Sequence, residues 1–246
     1  NGEGRIKESC LLIGFIRTIK TIKTIETNLS VMKLSDRIGQ IEASGTAHFT
    51  QLIQQLRGQG RDIIDLAVGE PPYDASGTVI AATQQALETG KTKYSPVAGL
   101  PELKSRLARQ FDGYDAHNII ISNGSKQCLY AMFQVICNPS DEVIRPRPFW
   151  VSFPEQVKLA GGRPVFVDTC NHQLDCEKIE RGITPKTRAI LINSPNNPTG
   201  AVYPAEDLAR VAKIALERDL YLISDEAYSL FVYDGDRKST RLNSSH

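Results

Sequence analysis

Short apolar runs alternate with stretches of helical period from about residue 63 to residue 225. Ile63 to Val68 is a short apolar run that ends in the turn Gly69-Glu70-Pro71-Pro72. Thr78 to Glu88 places Val79, Ala82, Ala86 and Leu87 on one side and stops at Gly90, so it predicts a helix. Pro101 suits the first turn of another, Glu102 to Phe111. Ile119 to Ile121 then predicts a strand, Gln127 to Ile136 a helix, Glu142 to Ile144 a strand and Val151 to Ala160 a helix. Pro164 to Val167 and Ala189 to Ile192 read as strands, Ala205 to Arg218 as a helix, and Leu220 to Ile223 as a final strand ending at Asp225. Continuous apolar strands between amphipathic helices predict an α/β fold, a mostly parallel sheet covered on both faces. Such sheets bind ligands at the carboxyl ends of their strands, which directs attention to the residues just after each one.

Those residues are rich in chemistry. Ser122-Asn123-Gly124-Ser125-Lys126-Gln127 leads into a helix whose free N–H groups favour a phosphate, although a glycine turn before a capped helix is also ordinary. The segment has neither the spacing of a Walker loop nor the glycines of a dinucleotide fingerprint. Arg145-Pro146-Arg147-Pro148-Phe149-Trp150 ends in the single tryptophan, placed either to stack on a planar ring or to pack. Asn193 to Gly200 holds two prolines and a glycine, a more elaborate turn than a connection requires. Ser224-Asp225-Glu226-Ala227-Tyr228 puts a carboxylate at the end of a buried strand, where a cation should face it: a ligand's, or a neighbouring Arg or Lys.

Composition narrows the classes. The 246 residues are 41% apolar and 23% charged with a formal net charge of +1, so no strong field draws the chain to nucleic acid or an anionic membrane. Five scattered cysteines and four histidines show no metal-ligand spacing, and the odd cysteine count suits reduced thiols in the cytoplasm. No apolar stretch is long enough to cross a bilayer. The two ends differ from the middle. Residues 1–31 read as an upstream translated segment ahead of a start at Met32, and residues 236–246 resemble a sequencing-adapter-derived tail.

Taken together, the motifs resemble the class I/II aminotransferases, pyridoxal-phosphate enzymes of fold type I. Ser194-Pro195-Asn196-Asn197-Pro198-Thr199-Gly200 and Ser224-Asp225-Glu226-Ala227-Tyr228 carry the likeness, with 28 positions (225 − 197) from Asn197 to Asp225. The segment from Tyr94 to Leu103 and the Gly124 turn fit the same pattern in the same order. The resemblance implies that residues 32–80 open the small domain and residues 81–235 belong to the large, cofactor-binding one. It implies that Asp225 pairs with the pyridine nitrogen of pyridoxal 5'-phosphate, and that Asn197 and Tyr228 bond its phenolic oxygen. Trp150 would stack on the ring, while Gly124, Ser125 and Lys126 begin the phosphate cup. Tyr94 would reach the phosphate of a neighbouring subunit in a homodimer, and Gly69 would lie near the substrate carboxylate. The substrates would be an amino acid and a 2-oxo acid.

The family's Schiff-base lysine and its two arginines cannot be placed on this sequence, so the fragment is expected to be inactive and poorly soluble. Carbon–sulfur lyases and cyclopropane-forming synthases share the scaffold. Asn196 with Pro198-Thr199-Gly200 favours a transaminase. A non-catalytic binding domain is the alternative outside enzymes, and a plain nucleotide-binding domain would need the missing fingerprint. The amino donor is not legible.

Overall fold

The computed structural model describes residues 35–42, 45–65 and 73–233. The expectations for residues 1–31, for Gly69 and for residues 236–246 fall outside them. The chain divides into two units, Asn1–Ser35 and Asp36–His246, and every helix and strand named here belongs to the second.

Four parallel strands form one sheet: β1 (Glu142–Arg147), β2 (Arg163–Asp168), β3 (Thr187–Asn193) and β4 (Tyr221–Asp225), in the order β2-β1-β3-β4. β3 lies at the centre because it is apolar on both faces: only Arg188 of its seven residues is exposed. Its Ile190 and Ile192 pack with Ile144 against α6 (Cys176–Arg181) and α7 (Ala205–Glu217). Ala189 and Leu191 pack with Val143 against α4 (Gly124–Ile136) and α5 (Ser152–Leu159) on the other face. Both faces are therefore covered by helices, as the continuous runs require. Residues 36–42 rest on α5, where Arg37 donates to the Leu159 carbonyl and the Glu42 N–H to Glu155.

The chain moves outward from β1 to β2, then returns past β1 to β3 and β4. Strand order reverses between β1 and β3, which opens a crevice at their carboxyl ends. β1 stays paired with β2 as far as Arg147, but with β3 only as far as Ile144. Pro146 lacks a donor and sits where only β2 still accompanies β1. The pairing of β1 with β3 shifts register once, between Glu142 and Val143.

Three earlier helices are α1 (Gly45–Gly58), α2 (Gly77–Glu88) and α3 (Pro101–Ala108). The Ser76 hydroxyl accepts from the Val79 N–H at the start of α2, and Pro101 opens α3. Residues 63–65 are irregular, with Ile64 exposed, and the rest of that run lies outside the described residues. One expected strand, Ile119 to Ile121, does not form. Ile119 to Ile121 is extended but bonds only to turns, from the Ile119 N–H to the Ala116 carbonyl at 3.4 Å and from the Ile121 N–H to the Ala98 carbonyl at 3.0 Å. β-branched residues favour extended backbone, yet a strand also needs a neighbouring strand. α1 and α6 escaped notice in the sequence, and α3 ends three residues earlier than expected. No helix among the described residues is long and apolar enough to cross a membrane.

Candidate active site

A small open cleft of about 70 Å³ lies where β1, β3 and β4 end and α4 begins. Five expected residues line it: Ser125, Trp150, Asn197, Asp225 and Tyr228. So do Phe153, Asn193 and Ala227, for which sequence reasoning assigned no role.

Asp225 closes β4 at 7% exposure. The Ala227 N–H donates to its carboxylate at 3.0 Å, and no Arg, Lys or His among the described residues pairs with it. Burial pushes its pKa above the usual carboxylate range, and the bond from Ala227 lowers it only in part. Of the two cations the strand end could have met, the neighbouring Arg or Lys is absent among the described residues. The strand end carries a buried anion open to a ligand's positive charge.

The turn after β3 is braced from within. The Asn196 N–H donates to the Ala201 carbonyl at 2.9 Å, and the Gly200 N–H to the Asn196 carbonyl at 2.7 Å. The Asn196 side chain accepts from the Thr199 hydroxyl at 2.9 Å. Asn196 is therefore spent on the turn and on the segment after β1, where its amide donates to the Pro148 carbonyl at 3.4 Å. Gly200 adopts φ +71°, a conformation that suits glycine. The Asn197 amide projects from this frame and donates to the Tyr228 hydroxyl at 3.4 Å. Asn193 binds both parts: its side chain accepts from the Asn197 N–H at 2.8 Å and donates to the Asp225 carbonyl at 3.0 Å. Its signal was only that it ends an apolar strand.

Trp150 packs edge-on against Phe153, with ring centroids 5.1 Å apart, and the Lys126 ammonium lies 4.8 Å from the indole centroid. α4 begins at Gly124, with φ +74°. Its N-cap residue, Asn123, makes no side-chain cap bond, so Ser125 sits at the cleft in a first turn without a cap. Such a helix end offers N–H donors and a favourable dipole to an anion. The Gln156 amide donates to the Lys126 carbonyl at 3.0 Å, tying this turn to α5. Tyr94 stands away from the cleft and is fully exposed. Among the described residues no cluster of His, Cys, Asp and Glu could hold a metal.

A planar aromatic shares the cleft with an amide, a phenol and a carboxylate that meets no cation among the described residues, and a helix N-terminus stands beside them. The donor set fits pyridoxal phosphate, which presents a protonated ring nitrogen, a phenolic oxygen and a phosphate.

The family model for aminotransferase class I and II matches residues 61–246. An aspartate/prephenate aminotransferase of Thermus thermophilus is 44% identical over 214 residues, covering 84% of this chain and 56% of the relative. An aspartate aminotransferase of Bacillus subtilis is 42% identical over 214 residues, covering 84% and 54%. The solved structure of the Thermus thermophilus aspartate aminotransferase with maleate superposes with a TM-score of 0.80 at 44% identity, over 83% of this chain and 56% of that one. The chain spans about half the length of the relatives it matches. The match covers the sheet, the cleft and the ordered motifs alike, and the chain belongs to the class I and II aminotransferases, a pyridoxal-phosphate-dependent family.

Proposed function

We propose that this cleft holds pyridoxal 5'-phosphate and that the whole protein transfers an amino group between an amino acid and a 2-oxo acid. The observation that carries the reading is Asp225, a buried carboxylate at a strand end with no cation of its own among the described residues. A pyridine nitrogen placed there would be held protonated by Asp225, and the resulting charge would answer the carboxylate. Asn197 and Tyr228 would share the phenolic oxygen. Trp150 would cover one face of the ring and exclude water from it. Gly124, Ser125 and Lys126 would present the first turn of α4 to the phosphate. When bound, the cofactor supplies an electron-poor ring, through which an amino acid can give up its α-proton and its nitrogen. None of residues 1–246 is assigned the part of the covalent lysine.

Several further assignments belong to the same reading. Residues 32–80 open the small domain, and residues 81–235 belong to the large one. Tyr94, clear of its own cleft, reaches the phosphate held by a second copy in a homodimer. Gly69, outside the described residues, would by the resemblance serve the substrate carboxylate. The relatives are named for aspartate, which makes aspartate the first donor to try.

The test is a titration of the 246-residue chain with pyridoxal phosphate, monitored by the fluorescence of Trp150. Saturable quenching is expected. Asp225→Asn should weaken binding by about ten- to a hundredfold, the loss of a charge-assisted bond. Absence of saturation, or equal affinity in the variant, would refute the reading. For the whole protein, keto acid formed without ammonia release would separate amino transfer from carbon–sulfur cleavage.

A further inference from the structure

We propose that Asn193 is a positioning residue that sets Asn197 against Asp225 through the two ends of its carboxamide. The proposal rests on the reading of the cleft as a pyridoxal-phosphate site. Asn193 ends β3, Asp225 ends β4, and the two are register partners. The Asn193 side-chain oxygen accepts the Asn197 N–H at 2.8 Å, and its nitrogen donates to the Asp225 carbonyl at 3.0 Å. The Ser194 N–H reaches the same carbonyl at 3.3 Å. Flipping the amide would set N–H against N–H and oxygen against oxygen, so its orientation is fixed by its partners. At 5% exposure, water hardly competes for either bond.

The consequence is geometric. Asn197 and Asp225 are 28 positions apart (225 − 197) and approach a ring at two different atoms. One rigid, planar group holds the backbone of both. A displacement of either would lengthen one bond to the ring while the other stayed in place. A buried asparagine serving the fold alone would support stability but would not couple to ligand affinity through Asn197.

Three measurements on the 246-residue chain separate these roles: cofactor affinity from Trp150 quenching with pyridoxal phosphate, hydrogen exchange at the Asn197 amide, and the melting temperature. Asn193→Ala should bind pyridoxal phosphate about tenfold more weakly, consistent with the loss of one or two buried bonds. The Asn197 amide should exchange faster. The affinity penalty should largely disappear when Asn193→Ala is combined with Asn197→Ala, because the two act as one unit. If the alanine variant does not melt cooperatively, Asn193→Ser, whose shorter hydroxyl cannot span both partners, takes its place. Wild-type affinity in a folded variant, or penalties that simply add, would overturn the proposal while leaving the cofactor site intact. A wild-type chain that does not bind pyridoxal phosphate would overturn the cofactor site and this proposal together.

Discussion

Glu142 and Asp225 are both buried carboxylates, at 2% and 7% exposure, yet their surroundings differ. Burial would raise the pKa of Glu142, but hydrogen bonds from Arg163 and the Thr184 hydroxyl bring it below the usual range. Asp225 has only the Ala227 N–H, and its pKa is raised. A raised carboxyl pKa means that its charge opposes folding at neutral pH, a penalty that lifts as pH falls through the folded value. Asp225→Asn should therefore stabilise the cofactor-free chain at pH 7 by about 1 kcal/mol while weakening cofactor binding. Thermal melts with and without pyridoxal phosphate check the opposite signs. Arg145 is a third buried charge, held over Phe149 at 3.8 Å and Phe153 at 4.5 Å, with Nε and Nη1 unbonded. Burial presses its pKa down to about 9. The charge penalty is complete at neutral pH and lifts as pH rises through that value. Arg145→Met should thus be neutral or more stable by up to about 2 kcal/mol at pH 7, with the gain shrinking above pH 9. Urea unfolding at both pH values measures it. Asp225, Asn197, Tyr228, Ser125 and Trp150 were legible because strand ends in parallel sheets collect ligand contacts. Asn193 and Arg145 were not, because both read as the first residues after their strands, and the partners that give them a part appear only once register and packing are known.

The secondary elements that carry the sheet respond to packing on two faces. Ile190 has no exposed surface and touches the layer of α6 and α7. Ile190→Ala should cost about 2–5 kcal/mol, read from the urea midpoint. The four strands of the sheet were read from continuous apolar runs, and the helices α2, α4, α5 and α7 from helical period and turn residues. Their ends moved by a few residues at most, because apolar spacing and turn residues agree there. α6 was missed because six residues give too little period to see. Ile119 to Ile121 shows the opposite failure. Its composition favours a strand, but no strand among the described residues runs beside it.

Across the whole molecule, apolar side chains remain outside. Val135, Leu216 and Leu230 exceed 70% exposure, and Phe231 and Tyr233 stand out near the end of β4, an edge strand. Exposed apolar groups beside an open sheet edge invite association. Light scattering of the purified chain should show growth with concentration, and a monodisperse sample at high concentration would contradict this. The cleft gathers residues from four stretches of sequence, so it exists only once β1, β3 and β4 are in register. The register shift between Glu142 and Val143 lies at the start of β1, the end of the sheet remote from the cleft. An extra residue there can be absorbed before the strands reach the ligand. Inside β4 there is no such slack. A single insertion between Tyr221 and Ser224 would turn Asp225 to the opposite face of the sheet and leave the cleft without its anion. A one-residue insertion at the start of β1 should therefore leave the proposed cofactor site in place, while one inside β4 should abolish it in a single step.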